Sequence, residues 1–125
     1  MINLIIMSII TSLKTVNEFG ELMTNNPGKI IIKFGADWCG PCKIIEQTVH
    51  EWFDKAPATI QCCNLDVDTN FELFGFLKRK KIVKGVPVLL CYDKNNEDGY
   101  PDDFVSGGDI EKTNQFFQRC FHSRI

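Results

Sequence analysis

The chain of 125 residues lacks any apolar run of the roughly 20 residues that a membrane-spanning helix needs. Its apolar start, Met1 to Ile10, is far too short for that role. The same stretch has no basic opening and no small-residue cleavage site, so it does not read as a secretory signal. Cleavage there would also remove a strand expected at Ser8 to Thr11. Met7 is a second candidate start, which leaves residues 1–7 as a loose extension of one domain spanning 1–125. A surplus of positive charge is missing too. Lys and Arg number 14 against 16 Asp and Glu, a net charge of −2, which argues against general nucleic-acid binding. There is no internal repeat and no low-complexity segment. The two histidines, His50 and His122, stand far apart in sequence and read as surface residues. Cysteine is not scarce, at six residues, but at 44% hydrophobic residues the chain can pack a core without disulfide staples. Free thiols in a reducing compartment, the cytoplasm, fit better.

The hydrophobic pattern alternates between strand and helix. Val16, Phe19, Leu22 and Met23 recur at helical spacing, and Asn25-Asn26-Pro27-Gly28 stops that helix. Ile30 to Phe34 predicts a short strand at a sheet centre, covered on both faces. Ile44, Ile45, Thr48, Val49, Trp52 and Phe53 form one helical stripe, with Glu46, Gln47, His50, Glu51 and Asp54 opposite. Ile60 to Val67 predicts a second buried strand. Phe71, Leu73, Phe74, Phe76 and Leu77 mark a helix ending in Lys78-Arg79-Lys80-Lys81, where cations suit the negative end of the helix dipole. Val86 to Tyr92 is a strand, Asp93 to Asp103 a long hairpin loop, and Phe104-Val105 a short edge strand. Ile110, Thr113, Phe116, Phe117, Cys120 and Phe121 stripe a last helix. This order predicts an α/β fold: a mixed central sheet, parallel early and antiparallel late, with helices on both faces.

Chemistry concentrates in Trp38-Cys39-Gly40-Pro41-Cys42-Lys43. Two thiols open a helix directly after a strand. The helix N-terminus favours thiolate over thiol, and one turn of helix brings the second sulfur back to the first. Zinc sites also use Cys-x-x-Cys, but they usually add a second ligand pair, and none of comparable spacing is present. Pro41 sits where a missing N–H is harmless, and Gly40 leaves the approach to Cys39 open. Cys39 is expected to be the exposed nucleophile and Cys42 the more buried resolving thiol. Cys62 and Cys63 are neighbours on a strand and point to opposite faces. With Cys91 and Cys120 they read as core thiols. Pro87, read alone, suits a trans strand start.

The segment resembles the active site of thioredoxins. Gly85-Val86-Pro87 lies at the distance of that family's cis-proline loop, and Gly107-Gly108 falls where the family closes its last hairpin. The resemblance implies a thioredoxin fold and a cis Val86-Pro87 bond beside the disulfide. It also implies a shallow apolar groove of Trp38, Gly40, Pro41, Val67, Val86, Gly107 and Gly108 that takes extended polypeptide. Lys84, just before the loop, is placed to face a substrate. The implied activity is reduction of protein disulfides by a monomer with no bound cofactor and no metal. An external, flavin-dependent reductase would supply the electrons.

Two positions depart from the family pattern. Lys33 stands where thioredoxins carry a buried Asp that takes the second cysteine's proton, and Asn64 stands where they carry its partner Lys. Lys33 therefore either runs its tip to water along an apolar stem or stabilises thiolate beneath the site. The latter would favour a disulfide oxidant or isomerase. Phe34-Gly35-Ala36-Asp37-Trp38 also resembles a segment of thioredoxin-like splicing proteins, which are structural and lack the paired cysteines. A non-catalytic interaction module is thus a third reading.

Overall fold

In the computed structural model, which describes residues 8–122, the elements follow in the order α1 (Val16–Thr24), β1 (Lys29–Gly35), α2 (Gly40–Asp54), β2 (Ile60–Asp66), α3 (Phe71–Arg79), β3 (Val88–Asp93), β4 (Asp103–Ser106) and α4 (Ile110–His122). The expectation for residues 1–7 lies outside the described residues. The strands form one sheet in the order β2-β1-β3-β4. β1 runs parallel to β2 and antiparallel to β3, and β3 is antiparallel to β4. This is the α/β thioredoxin fold, with a four-stranded mixed sheet and four helices.

The period of two along the strands sorts the core into two layers. Ile30, Ile32 and Phe34 of β1 pack with Phe19 of α1 and with Leu73 and Leu77 of α3. Ile31 faces the other way, towards Ile45, Val49 and Phe53 of α2 and Phe116 and Phe117 of α4. Cys62 and Cys63 separate into these two layers as their adjacency requires. All seven residues of β1 are buried.

Several boundaries differ from the sequence reading. The strand expected at Ser8 to Thr11 is a single bridge, Ile10 to Cys63. Ile10 makes both of its backbone bonds, to Cys62 and Asn64, at 3.0 and 2.8 Å. The Leu13 N–H is then captured by the buried Asn70 side chain at 2.8 Å, which draws the chain off the sheet. β3 starts at Val88 rather than Val86, because Pro87 has no N–H for the ladder. Ile44, expected on the inner stripe of α2, is exposed. It lies about 100° around the helix from Ile45, and the buried row runs through Cys42, Ile45, Val49 and Phe53. Phe71 is likewise exposed, since α3 buries Leu73 and Leu77.

Helix α3 ends in a paired closure. The N–H of Lys81 bonds the Lys78 carbonyl at 3.0 Å, and that of Ile82 bonds the Leu77 carbonyl at 2.9 Å. This arrangement needs a left-handed residue, usually glycine, and here it is Lys81 at φ 62°. A side chain in that conformation costs about 1–2 kcal/mol.

Candidate active site

β1 delivers the chain to the site. After Gly35 a turn closes with the Cys39 N–H on the Ala36 carbonyl at 3.2 Å. Cys39 is then the N-cap of α2, its Sγ accepting the Cys42 N–H at 3.2 Å. Pro41 sits in the first turn, where no N–H is missed. Cys39 and Cys42 are joined by a disulfide, with Cα atoms 5.3 Å apart.

Three other segments converge on this pair. The Val86-Pro87 bond is cis, and the Val86 carbonyl oxygen lies 3.7 Å from Cys39 Sγ. The Pro87 carbonyl accepts the Gly107 N–H at 3.0 Å, so the last hairpin is tied to the proline loop. Gly107 has φ 94°, which favours glycine. Gly108 presses on the active-site helix: a Cβ there would stand 3.0 Å from the Pro41 carbonyl oxygen and 3.1 Å from its Cα. Trp38 is exposed, and its indole N–H donates to Asp68 at 2.9 Å, a partner that sequence spacing does not reveal.

A model of the thioredoxin family matches residues 10–118. The chain belongs to the thioredoxin family. It is 31% identical over 90 residues to the thioredoxin of Mycoplasma pneumoniae, covering 70% of this chain and 80% of that one. It is 32% identical over 88 residues to thioredoxin-1 of Saccharomyces cerevisiae, with the same coverage of 70% and 80%. Among solved structures, Fasciola hepatica thioredoxin superposes with a TM-score of 0.69 at 25% identity, over 89% of this chain and 99% of that one. Malassezia sympodialis thioredoxin gives a TM-score of 0.69 at 20% identity, over 94% and 96%, a likeness of fold. Family members are thiol–disulfide oxidoreductases with a Cys-x-x-Cys pair, and Cys39 and Cys42 form that pair here.

Two expectations about this thioredoxin site need correction. Cys39 is not the exposed partner: its exposure is 5%, against 4% for Cys42. Its sulfur is folded onto the Cys42 N–H and against the Val86 carbonyl. Val67 offers little surface to a groove, because its side chain belongs to the core layer beneath α3. Lys84 is exposed beside the proline loop, and nothing approaches within 4 Å of where a Gly40 Cβ would stand. The remaining thiols are buried. Burial, reinforced by Cys91, pushes Cys62 up to about 12. Burial and then Cys62 raise Cys63 further, and a hydrogen bond with Cys120, then burial, raises Cys91. Thiols held protonated in this way are poor nucleophiles.

Lys33 lies behind the disulfide. Its strand register sets it opposite Asn64 on one side and Leu89 on the other. A Cβ on Gly35 would meet Lys33 Nζ at 3.4 Å and Cys42 Sγ at 3.6 Å, so the amine and the sulfur share the space this glycine leaves open. Both line a cavity of about 240 Å³ with Asp37, Lys43, Glu46 and Asp66. Burial lowers the Lys33 pKa, and the nearby Glu46 carboxylate opposes the shift. The amine makes neither a hydrogen bond nor an ion pair with any described side chain, and it reaches solvent, since no fully buried side-chain nitrogen or oxygen among the described residues lacks a partner.

Gly108→Ala is expected to destabilise the protein by about 1–3 kcal/mol through the clash with the Pro41 backbone, read as a lower urea midpoint. Lys33→Met is expected to stabilise it by at most about 1 kcal/mol, because the partial desolvation of the amine is relieved while its tip already reaches solvent. A lysine with a lowered folded pKa binds fewer protons folded than unfolded. Wild-type stability therefore rises as pH climbs from that lowered value towards 10.5, and the advantage of Lys33→Met shrinks over the same window. Parallel urea titrations at neutral and alkaline pH test this.

Proposed function

We propose that the chain reduces disulfides in proteins, with Cys39 attacking and Cys42 resolving. The observation that carries this reading is the position of Cys39 Sγ. It caps α2, receives the Cys42 N–H and touches the backbone of the cis-proline loop. In the reduced protein that N–H and the helix dipole favour a Cys39 thiolate.

The thiolate attacks one sulfur of the substrate disulfide. That S–S bond breaks, and the other substrate sulfur leaves as a thiolate and takes a proton. Cys42 then gives up its proton, attacks Cys39 Sγ in the mixed disulfide and expels the second substrate sulfur. The Cys39–Cys42 disulfide results, and two electrons from an external reductase restore the dithiol. Trp38, Gly40, Pro41, Val86, Pro87, Gly107 and Gly108 border the place where substrate backbone would lie. A cytoplasmic setting fits the four buried free thiols, and no described helix is long and apolar enough to cross a membrane.

One observation favours a weaker reductant. The Lys33 ammonium behind Cys42 stabilises negative charge on sulfur, which only the reduced state carries, and so raises the reduction potential.

Cys39→Ser is expected to abolish reduction of a model protein disulfide by a small dithiol. Cys42→Ser is expected to accumulate mixed disulfides with substrates. Wild-type turnover in Cys39→Ser would remove Cys39 as nucleophile. Lys33→Asp should give a more reducing couple by up to about 30 mV, equivalent to about 1.4 kcal/mol for two electrons, and should speed resolution. Glutathione equilibration reads the potential; if potential and resolution rate both stay put, Lys33 does not act on the sulfurs.

A further inference from the structure

The proline loop has a second side. A groove of about 580 Å³ runs away from it, walled by Ile82, Val86, Pro87, Tyr100 and Phe104. Tyr100 and Phe104 are 50% and 59% exposed, a large apolar surface to leave in water. The groove is continuous with the reactive pair, since Val86 contacts Cys39 Sγ and Pro87 is tied to Gly107 on the groove's far wall.

Its charge is of one sign. Lys81 and Lys84 line it, and no described acidic residue does. Five of the chain's 14 Lys and Arg residues fall within 78–84, although the whole chain is net acidic. Carboxylates around the disulfide stand elsewhere: Asp37, Glu46 and Asp66 line the cavity behind it, and Asp68 holds Trp38. Lys81 also occupies the left-handed closing position of α3, where glycine would be unstrained. A cation stands there against the backbone's preference, and the residue lines the groove.

We propose that this groove takes an acidic segment of the substrate polypeptide flanking its disulfide, with an apolar side chain against Tyr100 and Phe104 and carboxylates against Lys81 and Lys84. The proposal rests on the reading of the chain as a reductase of protein disulfides. The rim charges steer encounter and select sign, while the aromatic wall supplies contact area. Substrates with basic flanks are disfavoured by the same cations.

The test uses three peptides with the same disulfide and one phenylalanine, flanked by glutamates, glutamines or lysines. At low salt the glutamate peptide is expected to exceed the lysine peptide about tenfold in kcat/KM, with the ratio falling in 0.5 M salt. Lys84→Glu is expected to reverse the order. Lys81→Gly is expected to raise Tm by relieving the left-handed side chain, yet to reduce the preference for glutamate; a purely structural Lys81 would change Tm alone. Phe104→Ser is expected to lower kcat/KM for all three peptides together. Equal kcat/KM for the three peptides, with the glutamine peptide still turned over, would overturn the groove proposal and leave the reductase reading standing. No reduction of any peptide, or of a small aromatic disulfide, would overturn the reductase reading and this proposal with it.

Discussion

Strand β1 is hydrogen-bonded along both edges and buried along its whole length, and the other elements take their places from it. Its alternating side chains divide the core into a layer under α1 and α3 and a layer under α2 and α4. Its last residue, Gly35, releases the chain into the turn that makes Cys39 the cap of α2. The partner β3 leaves the sheet at Val88, one residue after the cis proline, which carries Val86 to the sulfur. The reactive pair and the loop beside it therefore leave the same end of one antiparallel ladder, where Phe34 pairs with Val88. Movement in that register would separate them, and the β1–β3 pairing is held at the far end by the ion pair of Lys29 with Asp93 at 2.7 Å.

The same strand explains the unusual chemistry behind the disulfide. Lys33 points to the α2 side because Ile31 does and the period is two. Gly35 leaves its side of the cavity open, and a Cβ there would press on the Lys33 stem at 3.3 Å and touch the amine and the Cys42 sulfur. A buried lysine without a partner is unfavourable in a core, and burial accordingly lowers its pKa. The cavity with Glu46 moderates that penalty and keeps a cation within reach of the sulfurs. The two sides of the site thus differ in electrical character. Behind the disulfide Lys33 and Lys43 share a cavity with Asp37, Glu46 and Asp66, whereas the proline-loop groove is lined by Lys81 and Lys84 alone among the described charged residues.

The sequence by itself determined the class of fold and the reactive pair. Both depend on local regularities: the period of two that separated Cys62 from Cys63, the period of 3.6 that placed Ile45, Val49 and Phe53 on one stripe, though it wrongly added Ile44, and a Cys-x-x-Cys set between strand and helix. The cis state of Pro87 was legible through family likeness and not from the residues alone. What the tertiary structure decided depends on approach between distant segments, which no periodicity encodes. Asn70 seizing the Leu13 N–H shortened the first strand to one bridge. The packing of α3 took Val67 into the core, and the Val86 carbonyl helped to cover Cys39. The meeting of residues 81–88 with 100–107 made a groove from side chains whose local patterns read as helix end, loop and edge strand. Local sequence sets backbone geometry over a few residues. Which faces then meet is set by sheet register and by the close contacts it permits, such as Gly108 on Pro41 and Lys33 across Gly35.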